Sequence, residues 1–275
     1  MNNKKSSQES KIGNTIQNSF AKGLEITPDS QKLQYLEQAV NKSVNLISFG
    51  LDYLNKNSFT EDEPFLSLSF LSLSRGFELL MKCMICYKRY NDTKDDKRFG
   101  HFPKIEAMKK NYNHNLDKLR KEIVKNYQRL FRGKTSNSKM ILQLKKDRDF
   151  IIKDKNLIEI LKIISKYGTE GRYYYELNCV TSKNKKNIMS PKFEMDKLIM
   201  EFLKKDEQLC NTFTNSINDE EDLSISNEVW QEIIQRYIKP YLNEFREILS
   251  RQFAYGILGD EARKCRSIYI FAFPT

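Results

Sequence analysis

The stretch that decides the fold is PFLSLSFLSLSRGFELLMKCMICYK, residues 64–88. Its opening reads like a strand, because Leu66, Leu68 and Phe70 alternate with serines. The alternation slips at Leu71, and the run continues through Tyr87 with no breaker except Gly76. A buried strand spans only about 4–8 residues, so length decides for helix. Thr60 and Glu63 supply a capping box ahead of it, and Pro64 suits a first helical position. Apolar residues lie nearly all round this helix, which predicts that it is central and buried and runs to about Tyr90.

Upstream, residues 1–26 carry no apolar period and read as a flexible tail. Thr27 and Pro28 then start a helix whose stripe is Leu33, Leu36, Val40, Val44, Ile47, Leu51 and Leu54. Downstream, residues 91–113 read as a charged connection containing Gly100 and Pro103. A third helix starts near His114-Asn115. Leu116, Leu119, Ile123, Tyr127 and Leu130 point inward, and Arg120, Lys121, Lys125, Arg129 and Arg132 occupy its other face. Residues 133–148 read as a loop or frayed helix, and a fourth helix covers about Asn156 to Tyr167 with Gly168 as its stop. Pro191 opens a helix ending near Cys210. An acidic loop at 218–222 precedes a long helix kinked at Pro240. The tail RSIYIFAFPT is apolar enough to dock on the body or on a second subunit. The expected fold is all-α: a tail (1–26), a bundle of long antiparallel helices (27–180) and a C-terminal helical extension (181–275).

The whole chain has 275 residues with 39% hydrophobic and 30% charged, enough to bury a core without staples. Seventeen Phe and 14 Tyr exclude wholesale disorder, and ten Gly and six Pro suit long helices with short joins. No apolar leader opens the chain, and the Phe65–Leu73 run is far too short to span a bilayer. Five cysteines without framework spacing point to reduced thiols and a cytoplasmic setting. The net charge is +11, but residues 81–155 alone hold 22 Lys/Arg against 9 Asp/Glu. A confined positive field is the footprint of an anionic partner, nucleic acid first. The rings Tyr87, Tyr90, Phe99, His101, Phe102 and Tyr112 within it suit single-stranded RNA, or pack back on the body.

Cys83-x-x-Cys86 lacks the second ligand pair a zinc finger needs, and two histidines in all exclude a histidine-rich metal centre. No phosphate loop and no Gly-x-Ser-x-Gly elbow is present, and no motif calls for a cofactor. Arg172, followed by Tyr173, Tyr174 and Tyr175, has three uses open to it: gripping a phosphate, stacking on a ring, or pairing with Glu170 or Glu176.

Three segments in order resemble a HEPN domain, an all-α family of RNA- and nucleotide-associated proteins. They are Ser74 to Lys82 with Glu78 inside, His114-Asn-Leu-Asp-Lys-Leu119, and Arg172 to Asn178. The resemblance covers about residues 29–180. It implies a metal-independent endoribonuclease of a toxin–antitoxin or phage-defence system. It also implies a homodimer and a protein antitoxin or regulator. In the family the motif is an arginine, four to six residues, then a histidine. Here Arg172 is followed by five residues and then Asn178. Arg172 is thereby expected to hold the scissile phosphate, Asn178 to assist, and His114, if the fold brings it near Arg172, to supply the proton transfer that asparagine cannot. The other reading of His114 is a helix-start residue that bonds nearby backbone. Tyr173, Lys109, Lys110, Arg120, Lys121, Lys125 and Arg129 are expected to hold the RNA strand. An alternative is a non-catalytic helical protein–protein interaction module, favoured by the missing histidine and the apolar tail. A third reading is a structural or nucleotide-binding helical protein.

Overall fold

The structure, a computed structural model, describes residues 28–54, 64–96, 101–128, 139–169, 191–218 and 223–272. Among them every regular element is helical. The principal ones are α1 (Pro28–Tyr53), α2 (Pro64–Thr93), α3 (Ile105–Tyr112), α4 (Leu116–Val124), α5 (Lys139–Lys153) and α6 (Lys155–Thr169). There follow α7 (Pro191–Leu203), α8 (Glu207–Asn218), α9 (Leu223–Ile233), α10 (Lys239–Ala254), α11 (Asp260–Arg263) and α12 (Tyr269–Ala272). The all-α expectation holds. The expected tail and the capping residues Thr27, Thr60 and Glu63 lie outside the described residues.

The chain divides into two units, residues 1–37 and 38–275. Of the first, the opening turns of α1 are described, with Tyr35 exposed. In the second, α2 is the hub and packs on α4 and α6. Phe70, Leu73, Phe77, Leu80, Met81 and Met84 along it are fully buried, as its all-round apolar pattern predicts. Gly76 lets α1 come close: a Cβ there would lie 2.6 Å from Ile47 Cγ1 and 2.9 Å from the Ile47 nitrogen.

The C-terminal helices share this core. Phe245 of α10 meets Phe77 at 5.2 Å between ring centroids, and Phe253 meets Tyr87 at 6.0 Å. Each buried phenylalanine of this kind stabilises by about 3–5 kcal/mol relative to alanine. Asn126 donates to Gln252 at 3.0 Å, a further tie between the two halves.

Several local expectations are corrected. The 91–113 connection contains α3, and of the 133–148 stretch, read as a loop or frayed helix, residues 139–148 belong to the regular helix α5. Asp154 separates α5 from α6 and caps the latter, its carboxylate accepting the Leu157 N–H at 2.8 Å. Gly168 does not stop α6, which continues to Thr169. It is there for contact: a Cβ would sit 2.1 Å from Ser74 Oγ. The helix opened by Pro191 ends at Leu203, and α8 starts afresh at Glu207. The break expected at Pro240 is a π-helical turn, Ile234–Ile238, after which Pro240 sits in the first turn of α10. In the tail, Ile268 and Phe271 are buried, and Arg246 lies over the Phe271 ring at 4.5 Å.

Candidate functional site

Two of the three segments behind the resemblance meet in space. Glu78 and Lys82 lie one turn apart on α2, with Lys82 Nζ 2.5 Å from Glu78 Oε1. His114, immediately before α4, places Nδ1 3.0 Å from both Glu78 carboxylate oxygens. Its main chain is fixed as firmly as its ring. The Ser165 hydroxyl of α6 donates to the His114 carbonyl at 2.9 Å and accepts the Leu116 N–H at 3.2 Å. Asn115 then caps α4, accepting the Lys118 N–H at 2.8 Å. Glu78 is 8% exposed while His114 is 31% exposed, so a covered carboxylate backs an imidazole that reaches water.

An ionised carboxylate only accepts hydrogen bonds, so Nδ1 carries the proton and donates. The neutral ring then keeps its lone pair on Nε2, which bonds to none of the described residues. A covered carboxylate that fixes the tautomer of a partly exposed imidazole is an arrangement able to pass a proton. The sequence reading that His114 bonds nearby backbone is incomplete, because the ring's partner lies 36 positions earlier.

The basic residues divide into two kinds. Lys109 and Lys110 are exposed on the last turn of α3. Lys121 and Lys125 are exposed too, within 2.7 Å of Asp117 and 2.6 Å of Glu122 respectively. Arg120 belongs elsewhere, and its place on the outer face is corrected. It is 4% exposed, donates through Nη1 to the Ile151 carbonyl at 2.5 Å, and pairs with Asp117. Its guanidinium ties α4 to α5 and is closed to a strand. Arg129, Arg172, Tyr173 and Asn178 lie outside the described residues.

The aromatic residues pack inward more than outward. Tyr87 is buried with its hydroxyl 3.0 Å from Cys265 Sγ. Tyr90 stacks on Phe102 at 5.2 Å and meets the edge of His101 at 5.8 Å. Cys83 is buried and Cys86 half-buried, and burial pushes both thiols up, Cys86 to about 11. Among the described residues no group of three or more His, Cys, Asp or Glu is placed to hold a metal ion. No described helix is long and apolar enough to cross a membrane.

Fold and site together define an all-α helical protein carrying a carboxylate–imidazole pair at a helix junction. Comparison with family models, with curated proteins and with solved structures gives no match.

Proposed function

We infer that the chain is a HEPN-like RNA-binding protein of a toxin or phage-defence system, with Glu78 and His114 serving proton transfer at an RNA phosphodiester. The observation that carries this reading is the 3.0 Å contact between Glu78 and His114, which unites two segments picked out by resemblance alone. In such a reaction Nε2 accepts the 2′-hydroxyl proton while that oxygen bonds to phosphorus. The bond from phosphorus to the 5′-oxygen breaks, and the leaving oxygen takes a proton from water. Lys82 shares the Glu78 Oε1 with His114. Arg172 and Asn178 would grip and orient the phosphate, as the resemblance implies, and exposed Lys109, Lys110, Lys121 and Lys125 would draw the strand in. The resemblance also implies a homodimer and a protein antitoxin.

The test is induced expression with growth and total RNA followed on a gel. Wild type is expected to arrest growth and fragment RNA. His114→Ala, Glu78→Gln and Arg172→Ala are expected to lower cleavage by about a hundredfold or more. Cleavage unchanged in His114→Ala, or no salt-sensitive RNA binding by the purified protein, would overturn the reading. The interaction-module alternative drew on the apolar tail, whose Ile268 and Phe271 are buried within the chain itself.

A further inference from the structure

Beyond the dyad, α2 carries a second feature on the same face. Glu78, Lys82, Ile85, Arg89 and Asp92 recur at four, three, four and three residues, which lines them along one side of the helix. The last three border a groove of about 500 Å³ between α2, α3 and α4. Ile85 and Arg89 lie about 10–16 Å along the axis from Glu78, given the rise of an α-helix. We propose that this groove is a nucleotide subsite, taking the base and phosphate of one nucleotide of a single-stranded RNA whose scissile bond sits at the dyad. This rests on the RNA reading above and names where the neighbouring part of the substrate goes.

The lining carries the chemistry of a nucleotide. Phe102 lines the groove and its ring stacks with Tyr90, which gives the groove the aromatic surface on which a base packs. Ile85, Pro103 and Ala107 give the apolar floor that a planar base needs. Tyr112 and Asn126 line its polar side, Asn126 with its Nδ2 already given to Gln252, and the Tyr112 phenol is held in its protonated form, pushed up to about 12 by burial and by Glu122, to which it bonds. Lys88, Arg89 and Lys104 face two carboxylates, Asp92 and Glu122, leaving one cation in excess. Lys88 is paired with Asp92. Lys104 is exposed at the mouth and pairs with none of the described residues, so it is the natural phosphate contact. An acidic peptide would satisfy the cation but not the ring wall, and an apolar ligand would leave the cation uncompensated. The volume matches small-molecule pockets and fits a nucleoside monophosphate.

The experiment uses the full chain with two probes, a nucleoside 5′-monophosphate and a labelled short single-stranded RNA. Inorganic phosphate serves as the control for charge alone. Phe102→Ala is expected to weaken both probes about tenfold, the loss of one stacked base. Phe102→Tyr, which keeps a ring, is expected to bind like wild type and guards against a folding defect. Lys104→Ala is expected to weaken both probes and to lower the salt dependence of RNA binding. Monophosphate binding that is absent, or no tighter than phosphate, overturns the subsite. RNA binding that Phe102→Ala and Lys104→Ala leave unchanged also overturns it while the RNA reading stands. Monophosphate bound through Phe102 with no RNA binding supports the groove as a site for free nucleotides and sinks the RNA reading.

Discussion

Asp147 on α5 and Arg251 on α10, 104 positions apart, form a two-pronged ion pair: Nε to Oδ2 and Nη2 to Oδ1, each 2.9 Å. Asp147 is 1% exposed, so the pair is enclosed. It is the polar lock between the two halves of the core. Removing Arg251 leaves Asp147 charged and buried, which costs about 3–5 kcal/mol, whereas Arg251 without Asp147 keeps Glu244 at 2.8 Å and Glu247 at 3.4 Å. Arg251→Ala is therefore expected to lower the urea midpoint strongly, and Asp147→Ala less so. A double change of Asp147 and Arg251 to apolar residues is expected to recover much of the loss. If Arg251→Ala costs less than about 1 kcal/mol, the pair is not desolvated as described.

Gly168 and Ser74 set the approach of α6 to α2. The Ser74 hydroxyl is buried and bonds to no partner among the described residues. Gly168→Ala drives a methyl group into that hydroxyl and is expected to cost about 1–3 kcal/mol. Ser74→Ala alone is expected to be neutral or mildly stabilising, since it removes an unmet polar group. Combined with Gly168→Ala, Ser74→Gly should restore part of the loss. Thermal denaturation of the three variants reads this directly.

Arg120 and the surface lysines should separate cleanly. Arg120→Ala removes the bond to the Ile151 carbonyl and is expected to destabilise by about 2–3 kcal/mol. Lys109→Glu with Lys110→Glu should leave stability within about 0.5 kcal/mol of wild type. The lysine pair should instead lower the slope of log affinity against log salt by roughly 0.7 per lost contact. An RNA slope unmoved by both lysine changes would place the strand elsewhere.

The Asp117 carboxyl carries a pH signature. Burial pushes it up, but hydrogen bonds from Lys121 and Arg120 and their charges pull further, so it titrates below its ordinary value of 3.8. A carboxyl lowered by folding contributes stability that is present above its unfolded value. That contribution is lost as pH falls through the folded value. Asp117→Asn is expected to be less stable at neutral pH, and the gap to wild type should begin to narrow near about pH 4 and close only below the lowered folded value. Urea midpoints at a series of pH values would show a constant gap if the carboxyl were not coupled to folding.

Much of the architecture was legible because it rests on period and punctuation. The α2 stretch declared itself by length, and Asn115 by its place before Leu116 and Leu119. What escaped depended on partners far apart in the chain. No local signal reveals that Arg120 turns inward to the Ile151 carbonyl, since its spacing matches that of exposed Lys121 and Lys125. Gly168 reads as a helix stop in one dimension and is a contact point in three. Glu78 and His114 were both visible as residues, but their union depends on α4 docking beside α2. Charge left most of α5 read as no more than a loop or frayed helix, because its pattern of lysines and aspartates masks Leu144 and Ile151.

The π-helical turn at Ile234–Ile238 works as a phase shifter. One extra residue in a helix rotates everything beyond it by about 100°. Before the turn, α9 faces α7 and α8; beyond it, α10 faces α6 and the closing helices. A single rod thus serves two differently oriented neighbours. Deleting one residue there would regularise the winding and swing Phe245, Arg251 and Phe253 off their seats together. Length in this short turn is consequently more constrained than composition: exchanges are expected to be tolerated where a one-residue deletion is not.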